Sequence, residues 1–211
     1  MAGGVSEPLL SVAGLTADRS GRRILDDISF HANPNEILGI IGPNGAGKTT
    51  LFECVAGLQP VTRGTVSGVP RFYMPDAIRP WPDQTVAWTL RTMSCGPLQW
   101  LPELDLEHLG RQRVSSLSKG ETKRMNVAMA LLAPQQVLLL DEPFDGLDVR
   151  QTRSVMALLR GVGRTLILSI HQLADAAKIC DRVLLLNAGR VVASGTPREL
   201  GDLEELFLAH T

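Results

Sequence analysis

The sequence has no apolar run long enough to cross a bilayer. Its longest, Val127–Ala133, is about seven residues and is ended by Pro134, against the ~20 that a spanning helix needs. The opening stretch MAGGVSEPLLSV lacks a basic region followed by an apolar core, so no secretory leader is expected and the chain is expected in the cytoplasm. Cysteine is scarce: Cys54, Cys95 and Cys180 are odd in number and widely spaced, with no CxxC. That excludes a disulfide framework or a zinc site and leaves three small buried hydrophobes as the expectation. Charge of one sign is lacking too, with 21 Lys+Arg against 22 Asp+Glu, which argues against a basic nucleic-acid arm and against disorder. There is no repeat and no low-complexity linker. What remains is 211 residues, 44% hydrophobic and 20% charged, enough for one sizeable globular core.

Short apolar runs at Leu9–Ala13, Ile28–Ala32 and Glu36–Ile41 read as strands, with turns at Ser20-Gly21 and at Asn33-Pro34-Asn35. Residues Lys48 to Gly57 carry helical spacing and end at a glycine. Further on, Val137–Asp141, Thr165–Ile170 and Val183–Asn187 are near-continuous apolar runs, the pattern of strands buried on both faces of a parallel sheet. Helical patterns at Val149–Gly161 and Gln172–Cys180 separate them. This alternation predicts an α/β fold built from crossover units. Between 76 and 133 the strand signal fades, prolines recur, and helical stretches at Val86–Met93 and Glu121–Leu132 suggest a helical insertion, too small to stand alone.

Two segments carry chemistry. Gly42-Pro43-Asn44-Gly45-Ala46-Gly47-Lys48-Thr49 fits G-x-x-x-x-G-K-[ST], and Thr50 follows it. Its glycines let backbone N–H groups converge on phosphate oxygens, Lys48 can reach β- and γ-phosphates, and the Thr49 hydroxyl can bind Mg²⁺. Its position after a strand and before a helix argues against a chance glycine-rich turn. The second segment, Val137-Leu138-Leu139-Leu140-Asp141-Glu142, ends an apolar strand in two acids. Asp141 thereby reaches the carboxyl edge of the sheet, where a metal partner is needed, and Glu142 is placed to take a proton from an attacking water. Alone, such a pair would read as a solvated strand end; beside a phosphate loop it reads as catalytic.

With these residues in place, the sequence resembles an ATP-binding cassette ATPase, the motor subunit of ABC transporters, from Leu9 to about Leu200. Leu117-Ser118-Lys119-Gly120-Glu121 is similar to the family's signature loop LSGGQ, with Lys119 in place of a glycine and Glu121 in place of glutamine. The resemblance implies that Ser118 and Gly120 address the γ-phosphate of ATP held by a second subunit. Read without it, LSKGE is a helix start with a capping box from Ser118 and Glu121, and both readings are compatible. Phe144-Asp145-Gly146-Leu147-Asp148 takes the place of the family's D-loop, and His171 that of the switch histidine beside Glu142.

Two positions depart from the family. The glutamine that binds Mg²⁺ and senses the membrane partner corresponds to Asp76, which as a hard oxygen ligand could still bind the metal; Gln84 is the weaker candidate. The aromatic that stacks on adenine has no counterpart in Asp18–Arg23, leaving Arg19 or Arg22 to stack through a guanidinium plane.

The resemblance implies a P-loop (RecA-like) α/β core with an N-terminal antiparallel β part and a helical subdomain over about 77–133, one nucleotide-binding domain in all. It implies ATP and Mg²⁺ as ligands, a homodimer or paired ABC ATPase as partner, and a separate transmembrane permease. That would place the protein at the inner face of the membrane, and LSKGE with Pro75-Asp76 leans towards export. Exposed Trp81 between Pro80 and Pro82 is a candidate permease contact, with packing of its own loop as the alternative. Competing readings are a soluble ABC-type ATPase, for example in iron–sulfur assembly, a haem-exporter ATPase of cytochrome c maturation, and an unrelated P-loop kinase. The kinase leaves Ser118–Glu121, Asp145–Asp148 and His171 unexplained. No nucleic-acid partner is expected.

Overall fold

The computed structural model describes residues 7–76, 78–94 and 101–210. Cys95 lies outside them. A small antiparallel sheet, ordered β2-β1-β4, is formed by β1 (Leu10–Arg19), β2 (Arg22–Ala32) and β4 (Arg63–Gly68). The expected turn joins β1 to β2, with Ser20 and Gly21 both at positive φ (52° and 76°), the combination that lets a two-residue hairpin follow the strand twist. Both strands run longer than their apolar cores suggest. Register shifts near Leu15 and Ala17 break the alternation on which the shorter reading relied.

The main sheet has the order β5-β6-β7-β3-β8-β9. It contains β3 (Ile37–Ile41), β5 (Arg71–Met74), β6 (Val137–Leu140), β7 (Thr165–Ser169), β8 (Arg182–Asn187) and β9 (Arg190–Gly195). All neighbours pair parallel except β8 with β9. Side chains alternate between two cores, as strand geometry requires. Ile37, Ile41, Leu138, Leu140, Leu166 and Leu168 face one core, while Leu38, Ile40, Leu139 and Ile167 face the other. The first core is covered by α2 (Val86–Met93), α3 (Lys119–Leu132), α4 (Val149–Gly161) and α5 (Leu173–Ile179), and the second by α1 (Lys48–Ala56) and the small sheet. This burial on both faces is what the unbroken apolar runs indicate.

Between β5 and β6 the described chain is helical, comprising α2, three 3₁₀ turns and α3. The last of these helices starts at Lys119, two residues ahead of the sequence expectation. Two short helices, α6 (Pro197–Leu200) and α7 (Leu203–His210), close the chain. Among the described residues no helix is long and apolar enough to cross a membrane.

Candidate functional site

The strand order puts three carboxyl ends side by side. β7 lies between β6 and β3, so the loop after β3, the Asp141-Glu142 pair after β6 and the segment Ser169–His171 at the end of β7 share one edge. Ligands of open α/β sheets bind at such an edge.

The loop from Gly42 to Gly47 joins β3 directly to α1. Gly47 caps the helix at φ 106°, and a Cβ there would meet Leu25 Cδ2 at 2.8 Å, so only glycine suits the position. No side chain caps α1 and no acid occupies its first turn. Its start is therefore electropositive and leaves room for an external anion. Lys48 is 6% exposed and donates from Nζ to the carbonyls of Gly42 (2.7 Å) and Pro43 (3.1 Å). Burial pushes its pKa down, and the negative charges of Glu142 and Asp141 oppose that shift. Such a desolvated ammonium, an uncapped helix start and a glycine seat fit a polyphosphate.

Asp141, 4% exposed, collects three hydroxyls. Thr49 Oγ1 donates to Oδ2 at 3.0 Å, Tyr73 Oη to the same oxygen at 3.4 Å, and Ser169 Oγ to Oδ1 at 2.5 Å. Burial first, then the negative charge of Asp141, raises the pKa of Tyr73 and keeps it a donor. The hydroxyl–carboxylate pair Thr49 and Asp141 is the hard-oxygen set that suits Mg²⁺. Glu142 stands at φ 52°, a left-handed conformation that glutamate rarely adopts. Its N–H donates to Ser169 Oγ (2.8 Å), and its Oε1 lies 2.5 Å from His171 Nε2.

Asp76 takes a different place. Its Oδ1 pairs with Lys123 Nζ at 2.5 Å, and the lysine side chain is 5% exposed. Its carboxylate shares a cluster with those of Glu142 and Asp145, the ligand atoms lying within 4.8 Å of one another. Lys123, His171 and Lys119 each engage one member of this cluster. Gln84 sits in the exposed turn before α2, where its carbonyl accepts from Val114 N–H.

The Ser118–Glu121 segment starts α3 with a complete capping box. Glu121 N–H donates to Ser118 Oγ (3.3 Å) and Ser118 N–H to Glu121 Oε2 (2.8 Å). Since Ser118 Oγ is the acceptor, its own hydrogen remains available to give. Lys119 Nζ reaches Asp145 Oδ2 at 2.7 Å, and its methylenes lie over Gly146, where a Cβ would meet Lys119 Cδ at 2.9 Å. Arg79 donates to the carbonyls of Ser115 (3.2 Å) and Leu117 (3.0 Å), which ties the loop after β5 to this segment. Trp81 is 42% exposed and meets Trp88, 41% exposed, edge to face at 5.6 Å.

Arg19 forms an ion pair with Glu53 (3.2 Å), and Arg22 is exposed in the β1–β2 hairpin. Cys54 and Cys180 are buried, and burial pushes their thiols up to about 11 and about 12. They are inert fillers, as expected. Sequence reasoning missed Ser169, Tyr73, Lys123 and Arg79. The available signal was polarity out of place: Ser169 follows the apolar run Leu166–Leu168 at the end of its strand, and Lys123 lies in a buried helix.

A glycine loop feeding an uncapped helix, a hydroxyl–carboxylate pair beside it and a second acid held by histidine define a nucleoside-triphosphate hydrolase of the P-loop class. The family model described as ABC transporter matches residues 25–145. The lipopolysaccharide export system ATP-binding protein LptB of Haemophilus influenzae is 29% identical over 94% of this chain and 95% of its own. A zinc import ATP-binding protein, ZnuC 1 of Hahella chejuensis, is 32% identical over 92% and 80%. A solved ATP-binding subunit of an ABC transporter superposes with a TM-score of 0.83 at 26% identity, covering 95% of this chain and 98% of that one. The chain belongs to the ABC transporter ATP-binding subunits, which are ATPases.

Proposed function

We propose that this chain hydrolyses Mg-ATP as one half of a head-to-tail pair and passes the resulting movement to a separate membrane permease, in the direction of export. The observation that carries the reading is the convergence of Lys48, Thr49, Asp141, Glu142 and His171 on one sheet edge.

The loop Gly42–Thr50 and the start of α1 hold the phosphates, with Lys48 on the β- and γ-groups. Thr49 and Asp141 would hold Mg²⁺, which would supply neutralising charge to the phosphates; Asp76 would join them only by leaving Lys123. Glu142 accepts a proton from the water that attacks the γ-phosphorus. The bond to the bridging oxygen breaks, ADP leaves with that oxygen, and inorganic phosphate forms. His171 bonds Glu142 and orients its carboxylate. The partner's copies of Ser118 and Gly120 complete the γ-phosphate site, so two identical faces meet in an isologous interface. Loss of the γ-phosphate removes the contacts that hold the pair shut, a two-state opening that can drive an attached protein.

The permease contact falls at Trp81 and Trp88. Asp76 with Lys123, Ile78 with Asn126 and Arg79 with Leu117 link that loop to α3 and the signature segment. Export rests on LSKGE and Pro75-Asp76; the lipopolysaccharide-export relative is consistent with it, while the zinc-import relative makes import the opposing outcome.

Glu142→Gln tests the mechanism. It is expected to bind ATP normally, to hydrolyse it at least ~100-fold more slowly and to elute as an ATP-bound dimer. Normal turnover would remove Glu142 as the general base. Direction is read by reconstituting the complex with the permease that co-purifies and following substrate across the vesicle.

A further inference from the structure

We propose that Ser169 is a positioning residue for hydrolysis: anchored on Asp141, its hydroxyl aims the neighbouring acid Glu142 at the water. This rests on Glu142 acting as the general base.

Adjacent residues on a strand point to opposite faces, so Asp141 and Glu142 would not serve the same edge if β6 simply continued. The chain leaves the extended conformation instead, with Glu142 at φ 52°. For a residue with a Cβ, that conformation costs about 1–2 kcal/mol and persists only where neighbouring groups impose it. Two hydrogen bonds fix the backbone of Glu142. Its carbonyl accepts from Asp145 N–H at 3.2 Å, and its N–H donates to Ser169 Oγ at 2.8 Å.

Ser169 is fully buried, and its polarity has no other use in β7. The direction of its bonds is settled by chemistry. A carboxylate can only accept, so the single hydroxyl hydrogen goes to Asp141 Oδ1 (2.5 Å), and a lone pair receives the Glu142 amide. Asp141 is itself held through its other oxygen by Thr49 and Tyr73. The relay therefore runs from the phosphate-loop helix through Asp141 and Ser169 to the backbone of Glu142. Because the chain runs on from β7 through Ile170 to His171, with Ile170 N–H bonded to Ile40 O at 3.1 Å, the exit of one strand sets both the backbone and the carboxylate of the base.

The test compares Ser169→Ala and Ser169→Thr in the full chain. For Ser169→Ala we expect kcat to fall about tenfold, as Glu142 loses the hydrogen bond that fixes its backbone, and the unfolding midpoint to drop modestly because two buried groups lose a partner, while the folded fraction at the assay temperature and binding of a fluorescent ATP analogue stay near wild type. Ser169→Thr, which keeps the hydroxyl, is expected to recover most of the rate. In a Glu142→Gln background the alanine change should lower the residual rate by less than about twofold, since its effect passes through the missing carboxylate. Wild-type kcat in Ser169→Ala, a loss that tracks ATP binding or folded fraction, or a full tenfold drop on top of Glu142→Gln would overturn the proposal. If Glu142→Gln alone turns over normally, the general-base reading fails, independently of what Ser169→Ala does.

Discussion

Two of the helices that start beside sequence motifs, α1 and α3, start in opposite ways. At α1 the cap is Gly47, with no capping side chain and no acid in the first turn, and the following lysine is buried. At α3 the cap is Ser118 in a reciprocal box with Glu121, and the following lysine is exposed and paired with Asp145. The first start is incomplete without an anion. The second is complete within the chain, so any ligand there arrives at a helix that is already satisfied. This difference is what a shared site would need: one half preformed for a bound phosphate, the other stable in a subunit that has no partner.

The largest effect should come from Lys48. Replacing it with alanine removes the charged donor from the phosphate side, and a hydrogen bond to a charged group is worth about 1.5–3 kcal/mol, so ATP affinity should fall roughly 10- to 100-fold and hydrolysis to background. Stability should behave differently. Burial disfavours the charged form of Lys48 in the folded chain, so Lys48→Met should unfold at or above the wild-type temperature. Calorimetry beside an ATP titration checks both arms. A variant that loses stability but keeps ATP would break the contrast between an unfinished start and a finished one.

Much of this was legible in sequence because its signals are local. The glycine loop, the strand ending in Asp141-Glu142 and the Ser118–Glu121 capping box each depend on neighbours in the chain, and each lies where periodicity places it. What escaped depends on distant partners. β4 is largely exposed and so shows no apolar alternation. α3 buries Thr122, Lys123, Arg124 and Asn126, which a helical pattern assigns to solvent. They are buried because Lys123 pairs with Asp76, Arg124 donates to the Leu104 and Asp105 carbonyls, and Asn126 donates to the Ile78 carbonyl. Ser169 escaped in the same way, since its two partners lie 27 and 28 residues upstream.

An intermediate effect is expected at Asp76, between the two helix starts. Asp76→Ala leaves the Lys123 ammonium without its partner in a buried position. Removing one member of a fully buried pair costs about 3–5 kcal/mol, and because Asp76 itself is partly exposed we expect on the order of 2 kcal/mol, or roughly 4–8 °C in melting temperature. Adding Lys123→Met should return most of that stability. Mg²⁺-dependent hydrolysis then separates the two roles of Asp76. If it is a metal ligand, the double variant melts normally yet needs more Mg²⁺ for half-maximal rate; if it only neutralises Lys123, the Mg²⁺ dependence is that of the wild type.

The smallest effect should follow from Lys119→Gly, which restores the glycine of the family's signature loop. The Lys119–Asp145 pair is exposed on both sides, where water screens it and it adds little to stability, so the melting temperature should move by no more than about 2–4 °C. Hydrogen bonding to Lys119 holds Asp145 below the usual carboxylate range, so the contact is present at neutral pH and is lost as pH falls through that lowered pKa. Hydrolysis should change less than about threefold if the lysine does no more than clasp Asp145. A lysine at the first position of a helix opposes the dipole unless an anion is near. In the lone chain that anion is Asp145; in a closed pair it would be the partner's γ-phosphate. A drop in kcat beyond tenfold, with the monomer's melting temperature unchanged, would show that the signature end also carries charge to the phosphate, and the contrast between the two helix starts would narrow to one of timing.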